Sequence, residues 1–200
     1  MSQREYSAGM VKLSFWFFEF RKVVTMLLAG KSMAEIKALS EAENIFSAPS
    51  GARAMQIYRT VSARAGSLYP SFYEVFDEGD IATQKLIVLV SIMNTDALFF
   101  DFMYEVIRDK LMLRDWLLPD ADVRIFFKDK QVQSEKVAGW TDETIARLCR
   151  CYKTILKEAG LTEGLADERK LIRPILSGRL EDCMRGNGME SHIKALTGVR

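Results

Sequence analysis

The chain is 200 residues long, 48% hydrophobic and 28% charged, with a formal net charge of +1. That balance describes an ordinary globular protein of one domain or two small lobes, able to bury about 70% of its unfolded surface. The apolar run Leu86–Val90 falls far short of the ~20 residues that cross a bilayer, which excludes a transmembrane helix. Met1-Ser2-Gln3-Arg4-Glu5 has no signal-peptide architecture, so a cytoplasmic protein is expected. The net charge conceals a segregation, with +4 on residues 1–65, −7 on 66–122 and +4 on 123–200. Separated positive surfaces suit contact with a duplex, although such fluctuations also arise by chance.

Ser14–Ala29 reads as the first helix, with Trp16, Phe20, Val23, Val24, Leu27 and Leu28 on its buried side. Ser32 and Glu35 form a capping box, opening a short helix that ends near Glu43. Residues 44–49 interrupt the pattern. Ser50 then caps a helix to Ala65, with Gly66 as its stop. At 100° per residue, Ala54, Ile57, Tyr58, Val61 and Ala65 share one face. Gln56, Arg59, Thr60 and Ala63 lie opposite, flanked by Arg53 and Arg64. Guanidinium, amide and hydroxyl groups among small residues suit a helix in a DNA major groove, and equally a solvated amphipathic face. The turn is longer than that of a tight helix-turn-helix, which favours phosphate contact over groove insertion.

Tyr69-Pro70-Ser71 starts a short helix closed by Gly79, and Asp80 caps the most hydrophobic helix, Ile81 to Met93. Thr95 or Asp96 caps the next, to about Leu113, and the two read as a central scaffold. Asp120 or Asp122 caps a helix carrying Val123, Phe126 and Phe127. Thr141 caps a longer helix, from Asp142 to Ala159, with Asp142 and Glu143 in its first turn and Gly160 as its stop. Its buried face holds Ile145, Leu148, Tyr152, Ile155, Leu156 and Ala159. Arg147, Arg150, Lys153 and Lys157 fall within an arc of about 120° on the other side. Segments 171–175, 180–184 and 193–196 read as short closing helices.

Catalytic chemistry is not visible. His192 is the single histidine, and no phosphate-cradling glycine motif occurs. Cys149, Cys151 and Cys183 make no C-x-x-C pair and lack histidines to complete a metal site, so buried reduced thiols are expected. Asp101 and Glu105 share a helix face, without a partner lysine evident in the sequence to build a nuclease site. Pro119-Asp120 and Glu168-Arg169-Lys170 resemble halves of a nuclease motif that normally sits on a β-core, which this chain does not offer.

Tyr6-Ser7-Ala8-Gly9, Phe18–Val24, Gly30-Lys31-Ser32 and Glu43-Asn44-Ile45-Phe46 resemble the opening of the BrxA family, small proteins of the bacteriophage exclusion (BREX) defence systems. The likeness recurs at Thr95–Phe102, Gln133–Trp140 and Tyr152–Leu161 and so spans most of the chain. Its residues are packing and capping positions rather than a catalytic signature. The resemblance implies an all-α protein with two helix-turn-helix-like units that bind DNA within a phage-defence machine. The combined expectation has three segments: an N-terminal lobe at 1–68, acidic and hydrophobic helices at 69–118, and a C-terminal lobe at 119–200. The expected function is non-catalytic: duplex DNA binding by a cofactor-free, metal-free monomer that also meets other BREX subunits and no membrane. Its contacts would be Arg53, Gln56, Arg59, Thr60 and Arg64 on one surface, and Arg147, Arg150, Lys153 and Lys157 on the other. RNA binding of the antitermination-factor kind, or a protein adaptor docking through the acidic middle, are the alternatives.

Overall fold

The computed structural model describes residues 5–165 and 169–199 and is all-α, with two two-residue strands among those residues. No single described helix is long and apolar enough to cross a membrane. The chain forms two units: Phe15–Thr95, and Asp96 onward together with the segment ending at Ser14. Their boundaries differ from the three-segment division read from the sequence. The two helices read as one scaffold fall one in each unit.

The first unit contains α1 (Phe17–Leu28), α2 (Met33–Glu43), α3 (Gly51–Gly66), α4 (Ser71–Glu78) and α5 (Ile81–Thr95). α1 starts later than Ser14 because Trp16 adopts a left-handed backbone, φ 53°, which a right-handed helix cannot include. The capping box is present: Ser32 Oγ accepts from Glu35 N at 3.2 Å, and Ser32 N donates to Glu35 Oε2 at 2.7 Å. Asn44 ends α2 in the left-handed region and clamps the following turn through both its amide atoms, which bond Ala48 N and O at 2.9 and 2.8 Å. Ser50 caps α3 through Arg53 N. Gly79 has no room for a Cβ, which would lie 2.7 Å from the Val75 carbonyl. Asp80 Oδ1 accepts from Thr83 N at 2.8 Å, and α5 is buried on every side from Leu86 to Met93.

The second unit opens with a 3₁₀ turn (Gly9–Lys12) packed on α10 (Asp142–Glu158). Asp96 caps α6 (Ala97–Asp101), which continues through a π-helical stretch (Phe102–Ile107) into α7 (Arg108–Leu113). There follow α8 (Asp120–Gln133) and the single turn α9 (Glu135–Ala138), capped by Ser134. After α10, β1 (Thr162–Glu163) pairs antiparallel with β2 (Lys170–Leu171). The chain closes with α11 (Gly178–Gly186) and α12 (Glu190–Thr197). The Tyr152 ring sits at the centre of the core, 4.9–5.3 Å from the rings of Phe99, Phe102 and Phe127.

Two sequence expectations fail here. Residues 171–175 are not a helix. Leu171 N donates to Trp116 O and Ile172 N to Leu161 O, both at 2.8 Å, and Pro174 supplies no N–H to continue a helix. Asp120 and Asp122 do not cap α8 either. The N-cap is Pro119, and both carboxylates turn to cations on other elements.

Candidate nucleic-acid interface

α10 is fixed from both ends and along one side. Thr141 Oγ1 accepts from Thr144 N at 3.2 Å, Gly160 turns the chain at φ 80°, and Leu148, Tyr152, Ile155 and Leu156 are buried. That packing turns Arg147, Arg150 and Lys157 to the exposed surface, whereas Ile145 is only half-buried. Arg147 is held at 2.6 Å by Glu143 one turn earlier, and Lys153 at 2.6 Å by Asp120 of α8. Asp120 also receives Arg169 at 3.0 Å. The hydrogen bond from Lys153, assisted by the Arg169 bond, outweighs the upward push of burial and leaves the Asp120 carboxyl below the usual aspartate range. One carboxylate against two cations leaves local charge in surplus. Arg150 and Lys157 have no ion-pair partner among the described residues.

Between α8 and α10 runs a groove of about 500 Å³. Arg124 and Lys128 line it from α8, Arg150 and Lys153 from α10, with Asp120 and Asp142 as the acids and Ile145, Ala146 and Cys149 as an apolar floor. Arg124 and Lys128 were not singled out in the sequence. They are four residues apart on one helix, so an α8 face was available to periodicity. Only the packing of α8 beside α10 gives that face a meaning. Cys149 is a buried thiol whose pKa burial pushes up, and all three cysteines are free. No group of three or more His, Cys, Asp or Glu among the described residues is placed to hold a metal ion.

The α3 face is weaker than the sequence suggested. Arg64 is 2% exposed and donates from Nη1 to Phe15 O at 2.9 Å, with its guanidinium 5.8 Å from the Trp16 ring. It belongs to the core, and its place among the outward contacts is corrected. Arg53 is half-buried, 5.0 Å from the same ring and 2.7 Å from Gln56 Oε1. Thr60 returns its hydroxyl to Gln56 O at 3.0 Å. Arg59 remains the exposed cation of the set.

Asp101, at the end of α6, and Glu105, on the π-helical stretch, do have a partner lysine. Lys130 of α8, 2% exposed, reaches Glu105 at 2.7 Å and Asp101 at 3.0 Å, and Tyr6 donates to Asp101 at 2.5 Å. Burial opposes the charge on Lys130, but the two carboxylates outweigh it and hold its pKa above the usual lysine range. Held between two acids, this lysine ties α8 to its neighbour. His192 packs against the Phe100 ring, centroids 4.9 Å apart.

A family model for BrxA matches residues 4–188. A BREX protein BrxA from Bacillus cereus (strain H3081.97) is 36% identical over 198 residues, covering 99% of both chains. The crystal structure of an uncharacterized protein from Magnetospirillum magneticum superposes with a TM-score of 0.80 at 21% identity, covering 97% of this chain and 99% of that one, so the two share a fold. With family and relative agreeing over nearly the whole sequence, the chain belongs to the BrxA family of BREX proteins.

Proposed function

We propose that this protein is a non-catalytic DNA-binding component of a BREX phage-defence system, gripping the duplex backbone with α8 and α10 and acting as a monomer alongside other BREX subunits. The observation that carries this reading is the α8–α10 groove, where Arg124, Lys128, Arg150 and Lys153 outnumber two acids. Arg147 and Lys157 extend the positive surface along α10. Arg59, with the half-buried Arg53, Gln56 and Thr60, offers a second contact on α3, the second helix of the helix-turn-helix-like unit. Cations on rigid helices neutralise phosphates and release counterions, which gives affinity with little base choice.

The test is fluorescence anisotropy with labelled duplex, single-stranded DNA and RNA of equal length, each titrated with salt. Duplex binding between about 10⁻⁴ and 10⁻⁶ M at physiological salt, weakening steeply as salt rises, is expected. Preference for RNA would transfer the same surface to the antitermination-like alternative. Affinity that does not change with salt would refute phosphate contact.

A further inference from the structure

The other side of α8 carries a second groove of opposite character. α7 and the end of the π-helical stretch face α8 across a cleft of about 350 Å³. Its lining contains five acids, Glu105, Asp109, Asp115, Asp122 and Asp129, and one base, Lys110. Asp115 and Asp122 share that lysine, at 2.7 and 2.5 Å, and Lys130 and Arg108 reach in from outside the lining to hold Glu105 and Asp109, each at 2.7 Å. Asp129 has no ion-pair partner among the described residues, so the rim keeps a net negative charge. The floor is apolar. Val106 and Phe126 line it, and Leu113 and Ile125, also in its lining, stand 78% and 55% exposed. Two large aliphatic side chains held in water beside a rim of net negative charge are unfavourable for an isolated chain and favourable for a complex.

We propose that this groove docks a basic amphipathic helix of a partner protein, its apolar face on Leu113 and Ile125 and its lysines or arginines against the acidic rim. Groove recognition of this kind uses a few apolar anchors at helical spacing, with charge setting orientation and partner choice. A second copy of this chain fits poorly. Its basic helices α3 and α10 carry no exposed large apolar residue to meet the floor. The basic stripe (Arg124, Lys128) and the acidic stripe (Asp122, Asp129) of α8 also lie roughly 130° apart at helical spacing, so a contact between copies that joined the two would be heterologous rather than two-fold. The proposal does not depend on nucleic-acid binding, because it uses neither Arg124 nor the outer face of α10.

The experiment uses the full chain and a labelled synthetic helix with leucines on one face flanked by arginines. Controls are the same peptide with glutamate for arginine and one with serine for leucine. Saturable binding of the first peptide alone is expected. Ile125→Ser with Leu113→Ser, or Asp129→Lys, should weaken it at least about tenfold, while these variants keep wild-type helical circular dichroism and duplex affinity. Reversing Arg150 and Lys157 should leave peptide affinity unchanged, which separates failure here from failure of the DNA reading. Absence of saturable binding, equal binding of either control, indifference to the groove variants, or self-association that Ile125→Ser abolishes would each overturn the proposal.

Discussion

Reversal of Arg150 and Lys157 to glutamate probes the α10 surface most directly. Both side chains are exposed and have no ion-pair partner among the described residues, while the core of α10 rests on Leu148, Tyr152, Ile155 and Leu156. Folding stability should therefore change by no more than about 0.5 kcal/mol. Each neutralised phosphate contributes about 0.9 to the slope of log affinity against log salt, so two lost contacts lower it by about 1.8. At ~0.1 M salt the same counterion release corresponds to about a 60-fold loss of duplex affinity. Between about 50 and 200 mM salt the decline in binding should be roughly 12-fold shallower than that of the unmodified protein. Anisotropy over that range gives slope and affinity together, and urea unfolding reports stability. A folded double variant with the original affinity and slope would refute the reasoning, leaving α10 as an ordinary solvated face.

Arg64→Ala should destabilise the protein by about 2–3 kcal/mol in urea unfolding, since it strands the buried Phe15 carbonyl. A variant that is fully stable yet defective in DNA binding would restore Arg64 to the contact surface. Tyr152→Phe should be neutral or raise stability by about 1 kcal/mol in thermal unfolding, because the fully buried hydroxyl has no hydrogen-bond partner among the described residues; a large loss would reveal a partner. Asp120, whose folded pKa is depressed by Lys153, Arg169 assisting, stabilises the fold above the ordinary aspartate pKa, and this contribution disappears as pH falls through the lowered folded value. Asp120→Asn should accordingly flatten the acid limb of stability against pH, and an unchanged limb would assign that dependence to other carboxylates.

Features whose partners lie within one turn were legible in the sequence. Ser32, Ser50, Asp80 and Thr141 each bond a backbone N–H three residues on, so residue type and spacing suffice to find them. Groups that bond across the fold were not. Arg64 reads as an outward cation until Phe15, 49 residues away, presents its carbonyl. Lys130, not singled out in the sequence, meets Asp101 and Glu105 only in the folded chain. The same limit hid the groove, whose four cations come from helices that meet only in the folded chain. The short apolar run at 171–175 could be helix or extended by pattern alone, and the pairing with Thr162 and Glu163 decides.

The π-helical stretch has a consequence for how this chain can change length. From Leu98 the buried positions Phe102, Ile107 and Leu111 follow at steps of four, five and four residues, and the longer step is the one the π turn absorbs. Excising the half-buried Tyr104 would leave three equal steps, so the segment could rewind as ordinary α-helix with both flanks still presenting the same faces. Excising Asp109, a few residues later, would turn Leu111 and everything beyond it by about 100°. Deletions are therefore unequal within one continuous helix: one residue is removable near its middle, and none in the turn that follows.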